Sequence, residues 1–60
     1  MKEYEYKVQF QILPVREWVD CSVKFKREED AKIAKRQFKQ VYPRYEVRIL
    51  RRSLEWEVVE

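Results

Sequence analysis

The chain has no glycine and no histidine, a single cysteine and two prolines. Each shortage removes a class of function. Tight I′ and II′ hairpin turns rely on residues that accept positive φ, typically Gly, Asn or Asp. Phosphate-cradling loops of the P-loop and dinucleotide-binding kinds are built on glycine, so both nucleotide-binding readings fail. Cys21 alone forms no internal disulfide, and one thiol without histidine is no metal site. Ser22 and Ser53 have no base to activate them. The acids cluster as Glu3/Glu5, Glu28/Glu29/Asp30 and Glu55/Glu57. They read as solvated faces or helix-dipole partners, where acid–base catalysis needs paired carboxylates in a pocket. The expectation is a protein without catalytic residues, cofactor or metal.

Long apolar runs are missing too. Nothing approaches the ~18 residues of a membrane span, and Met1-Lys2-Glu3-Tyr4-Glu5 lacks a secretory apolar region. These features predict a cytoplasmic protein, away from membranes, with Cys21 reduced.

What is present is dense. Sixty residues carry 45% hydrophobic, 15% aromatic and 42% charged side chains, which suits one domain spanning residues 1–60. A domain of this size buries only about 60% of the surface its unfolded chain exposes. Small scaffolds usually add disulfides, a metal or oligomerisation; here oligomerisation is the one left. The net charge of +3 is unevenly spread. Lys24 to Arg52 holds eleven Lys/Arg against four Asp/Glu, whereas residues 53–60 hold three Glu and no cation. Such asymmetry fits a nucleic-acid surface, or a basic patch meeting the acidic tail of another subunit.

Tyr4, Tyr6, Val8, Phe10 and Ile12 alternate with Glu3, Glu5, Lys7, Gln9 and Gln11. This period of two marks an antiparallel strand with one buried and one wet face, over about residues 3–13. Pro14 cannot donate to a ladder and ends it. Val19, Cys21, Val23 and Phe25 alternate with Asp20, Ser22, Lys24 and Lys26, giving a second strand at about 18–26. Trp18 falls on its polar face or just outside it. Glu28-Glu29-Asp30 suits the positive end of a helix dipole. Ala31, Ala34, Phe38 and Val41, with Tyr42 beside them, form one helical stripe over about 28–42, and Pro43 ends the helix. Ile33 lies off that stripe.

From Tyr45 to Val59 almost every residue favours extended structure, and a strand of that length would reach roughly 50 Å at about 3.3 Å per residue. Tyr45, Val47 and Ile49 are the odd apolar set; Leu54, Trp56 and Val58 are the even set. The change near Arg51-Arg52-Ser53 signals a bulge, a turn or a new environment. The favoured reading is one bent strand over 44–59 whose second half pairs with another chain. The alternative is a fold-back into a fourth strand. The expected fold is α+β: a ββαβ chain, strand order 2-1-3, with one helix on an antiparallel sheet of three strands, or four if the tail folds back.

The run Trp18-Val19-Asp20, Phe25, Arg27-Glu28-Glu29-Asp30-Ala31 and Tyr42-Pro43-x-Tyr45-x-Val47-Arg48-Ile49-x-Arg51-Arg52 is similar to small open reading frames of bacteriophage genomes. Those look like strand-strand-helix-strand proteins of no assigned activity. The resemblance implies a phage or prophage origin, a role against a host factor, and residence in the host cytoplasm. It transfers no site residues.

Two surfaces remain as candidates. Trp18, Leu50, Leu54, Trp56 and Val58 are left over once one core is filled, as is Ile33. Exposed clustered apolar groups mark interfaces, and Trp is enriched at hot spots. This predicts a protein-binding module that homodimerises through its C-terminal strand. Alternatively, Lys32, Lys35, Arg36 and Lys39 on the helix, with Arg48 and Arg52 (and Lys24 and Lys26 nearby), could contact phosphates. Most aromatics take inward positions, so only Trp18 and Trp56 are free to stack on bases. Cys21, between two valines on the apolar face, reads as core rather than as a reactive thiol.

Overall fold

The computed structural model describes residues 3–12 and 14–60. Leu13, expected at the end of the first strand, and Met1 and Lys2 lie outside the described residues. The elements run β1 (Glu5–Gln11), β2 (Val19–Phe25), α1 (Glu28–Val41), β3 (Glu46–Arg52) and β4 (Trp56–Val58). They form one antiparallel sheet of order β2-β1-β3-β4 with the helix packed on one face. The α+β class and the order 2-1-3 expected from the sequence are present, extended by a fourth strand.

β1 is central because its alternation supplies one complete apolar face. Tyr6, Val8 and Phe10 point toward the helix, and Glu5, Lys7, Gln9 and Gln11 point away. β3 continues the same faces in register: Val8 opposes Ile49, Phe10 opposes Val47, and Gln9 opposes Arg48. On the other side, Tyr6 opposes Phe25 and Phe10 opposes Val19, with a bulge that sets Cys21–Val23 of β2 against Val8 alone. Tyr6, Val8, Ala31 and Ile49 form the buried centre; Tyr4, Cys21, Phe25, Ala34 and Val47 pack around it. Cys21 therefore sits at the core margin, as its alternation indicated. The methyl side chain of Ala31, fully buried, lets the helix backbone approach the sheet.

α1 starts after Arg27, which is extended and makes no side-chain cap; three acids in the first turn favour the N-terminal dipole instead. At the other end Tyr42 leaves helical geometry, as a residue before proline must. Its N–H still donates to the Phe38 carbonyl at 2.8 Å, and Lys39 Nζ donates to the Tyr45 carbonyl at 2.8 Å. The helical stripe needs one correction. Val41, expected in the core, is 67% exposed. Tyr42, itself 47% exposed, closes an aromatic cluster at the core's edge, 5.1 Å from the rings of both Phe38 and Tyr45, while Phe10 stacks on Phe38 at 4.9 Å. At 100° per residue, Val41 lies off the line through Ala31, Phe38 and Tyr42.

The long strand expected over 44–59 is two strands. Ser53, Leu54 and Glu55 turn the chain, and Arg52 opposes Trp56. The pairing runs past β4: Val59 N–H donates to the Ile49 carbonyl at 2.8 Å, and Ile49 N–H donates to the Glu60 carbonyl at 2.9 Å. The tail is thus paired within its own chain, and the argument for an overhanging strand that needs a second chain falls away. The change of apolar phase has a simple cause. A three-residue loop preserves parity, so Trp56 and Val58 join Leu50 and Arg52 on the face away from the helix.

Candidate binding face

One face of the sheet is covered by α1; among the described residues no helix or strand covers the other. Register alone decides which side chains line that open face: Glu5, Lys7, Gln9 and the buried Gln11 from β1, Asp20 and Lys24 from β2, Arg48, Leu50 and Arg52 from β3, Trp56 and Val58 from β4. A connected line of polar and aromatic contacts crosses it. Arg48 lies 4.1 Å from the centre of the Trp18 ring and donates Nε–H to Gln9 Oε1 at 2.8 Å. Gln9 Nε2 donates to Asp20 Oδ1 at 2.6 Å, and Lys7 Nζ meets Asp20 Oδ2 at 3.3 Å. Lys7 is also 4.3 Å from the Trp56 ring centre, and Arg52 is 4.7 Å from it. Arg52 Nη2 closes the line by donating to Glu5 Oε1 at 2.7 Å.

Electrostatics follows from these pairs. The hydrogen bond from Gln9 holds the Asp20 carboxyl below its ordinary pKa of 3.8, and the bond and charge of Lys7 and the charge of Lys24 act the same way. On the helix side of β2, burial pushes the Cys21 thiol up, and the Asp20 charge adds to the effect. A thiol held protonated is a poor nucleophile.

The five interface residues expected from sequence do not behave alike. Trp18, Leu50, Trp56 and Val58 share the open face. Leu50 is only 6% exposed, covered in place between Lys7 and Val58. Trp18 and Trp56 are half-buried. Leu54 is 92% exposed at the tip of the β3–β4 turn, outside the network. The six cations expected at a nucleic-acid surface split in two. Arg48 and Arg52 belong to the open face. Lys32, Lys35, Arg36 and Lys39 line a shallow groove of about 400 Å³ on the helix, across the sheet from them. Glu60 enters that groove, with its carboxylate 3.5 Å from Lys32 Nζ and 3.7 Å from Lys35 Nζ.

Sequence reasoning missed Glu5, Lys7, Gln9 and Asp20 as members of the site. Their only signal was membership of the wet sets of the two alternating strands. No helix of the described residues is long and apolar enough to cross a membrane. No protein-family model matches the chain, and neither does a curated protein or a solved structure.

Proposed function

We propose that this chain is a non-enzymatic protein-binding module whose working surface is the open face of the sheet. The observation that carries the reading is the pair of half-buried tryptophans, each with an arginine against its ring, at two ends of one face. Trp and Arg are the residues most enriched at binding hot spots. Fixed rings lose little conformational entropy when a partner arrives. Two cations of this face are already ion-paired within the chain, Lys7 with Asp20 and Arg52 with Glu5, and Arg48 is held by the neutral Gln9 amide and the Trp18 ring. A phosphate-tracking surface needs cations available to release counterions, so a face with Lys7 and Arg52 already paired supports a protein partner over a nucleic acid. The resemblance to small phage proteins makes a host protein the natural partner and the host cytoplasm the natural site of action.

Affinity purification from cells that express the chain tests this. Recovery of a specific protein that is lost with Trp18→Ala and Trp56→Ala but kept with Arg36→Ala supports the face. Recovery unchanged by both tryptophan substitutions contradicts it.

A second reading rests on the four helix cations that line one groove. It makes the helix flank a nucleic-acid contact, and it predicts binding that falls steeply with salt. A purified protein with no excess absorbance at 260 nm, and no binding at ~50 mM salt, removes it.

A further inference from the structure

Exposed aliphatic side chains gather at the β2 side of the molecule. β2 is an edge strand. Its helix-side residues Val19 and Val23 are 48% and 54% exposed. The lysine flank of α1 reaches Glu60, whose backbone is bonded to Ile49, so that flank lies over β3. At 100° per residue Ile33 points away from the sheet, and Val41 lies on the flank opposite the lysines, on the β2 side. They are 47% and 67% exposed. An unpaired strand edge bordered by aliphatic side chains is a pairing template.

We propose that two copies of this chain pair β2 to β2, antiparallel, about a two-fold axis at Ser22, to make one continuous eight-stranded sheet. The occupant is a second copy because the strand is complementary to itself in this register. On the helix side Val19 faces Phe25 of the second copy, and Cys21 faces its Val23. On the open side Asp20, already bonded to Gln9 and Lys7 of its own chain, faces Lys24 of the second copy, and the symmetry repeats each pair. Ser22 faces its own counterpart. Six of the seven residues of the strand are then matched, apolar to apolar and acid to base, with Ser22 on the axis, and such opposed pairs are the unit of sheet stability. A shift by one residue would place helix-side residues against open-side ones. A shift by two leaves the strand ends unmatched and separates Asp20 from Lys24.

The bulge at Cys21–Val23 could protect the edge, since bulges twist edges away from partners. The proposed axis passes through this bulge, so the pairing at Cys21, Ser22 and Val23 is the part of the strand that a Ser22→Cys cross-link tests directly. Pairing also extends the open face across both copies, with four tryptophans in place of two. The inference stands on the β2 edge and shares Asp20 and Lys24 with the open face.

Light scattering and directed cross-linking on the full chain, after nuclease treatment, test it. The expected mass is about 15 kDa, twice the 7.6 kDa of one chain. Directly opposed residues of an antiparallel pair have Cα atoms about 4.5–5.5 Å apart, within the span of a disulfide. Ser22→Cys, in a Cys21→Ala background, should therefore oxidise to a covalent dimer, while Ser53→Cys in the same background should not. Val23→Lys should return the mass to that of one chain, with an unchanged circular dichroism spectrum because the side chain is exposed. Lys24→Asp should weaken the dimer at least about tenfold by opposing a like charge to Asp20 of the second copy. A wild-type mass of one chain at about 1 mM, where mass action favours association, overturns the proposal. So does a dimer that survives Val23→Lys and gives no Ser22→Cys cross-link.

Discussion

Arg48 lies over the Trp18 ring at 4.1 Å, which fastens a residue just before β2 to a strand two places away in the sheet. The same guanidinium is held by Gln9 on the strand between them. Arg48→Ala removes a cation–π contact of about 1 kcal/mol at a partly exposed site and strands the Gln9 carbonyl. A urea titration should show a loss of about 1–2 kcal/mol, and tryptophan fluorescence should shift as Trp18 gains freedom. Arg48→Lys should restore little of it, because an ammonium cannot both lie flat on the indole and donate sideways to Gln9.

The fully buried Ile49 lies where β1, β3, the helix and the returning tail converge. Ile49→Ala leaves a cavity that close packing cannot fill, at a cost of about 2–5 kcal/mol. A 60-residue domain has about 3–9 kcal/mol in total, so thermal denaturation should show this variant largely unfolded near room temperature. Ile49→Val should cost only about 1 kcal/mol. Leu54→Ser, at the exposed turn tip, should stay within about 0.5 kcal/mol of wild type.

Asp20 links stability to acid. Its folded pKa is depressed, first by the Gln9 hydrogen bond and then by Lys7 and Lys24. The folded state therefore gains from the ionised carboxylate above the ordinary value of 3.8. That gain disappears as pH falls through the lower folded pKa. The carboxylate is exposed, so the effect is small and screened by salt. Side-chain NMR titration should give Asp20 a midpoint below 3.8, and Gln9→Ala should move it back up. A midpoint at or above the ordinary value, or no response to Gln9→Ala, contradicts the hydrogen-bonded line across the face.

Cys21 should alkylate slowly. Burial and the neighbouring Asp20 both keep its thiol protonated, and the thiolate is the reacting form. At pH 8 iodoacetamide should modify the folded protein several-fold more slowly than the urea-unfolded chain. Equal rates in the two states would place Cys21 outside the core margin.

The strands and the helix were legible wherever one period held over several residues. Tyr4 to Ile12 alternates without a break, and Ala31, Ala34 and Phe38 keep helical spacing, so β1 and α1 lie within the expected ranges. β1 is shorter, Glu5–Gln11, and Ile12, expected on its buried face, is 44% exposed. The tail was legible only as an anomaly. Its phase change marked the place where the chain turns, but the absence of Gly and Asn argued against a hairpin. That argument concerns two-residue loops, and the chain uses three residues, Ser53–Glu55. Val41 was misplaced because a stripe counted from Ala31 drifts over three turns, and Tyr42 closes the aromatic cluster instead. Trp18 and Trp56 stood out in the sequence as surplus to the core. Their cations did not, because Gln9 meets Arg48 across 39 positions and Glu5 meets Arg52 across 47. Only strand register brings those pairs together. The same register parts Arg48 and Arg52 from the helix lysines that their shared charge had grouped them with.

The most direct test of the open face is site-specific photo-cross-linking in cells that express the chain. A photoreactive phenylalanine replaces Trp56 in one variant and Arg36 in another. The account predicts a protein adduct from position 56, weakened by Trp18→Ala, and none from position 36. Adducts from position 36 alone, or nucleic acid in place of protein at position 56, would contradict it.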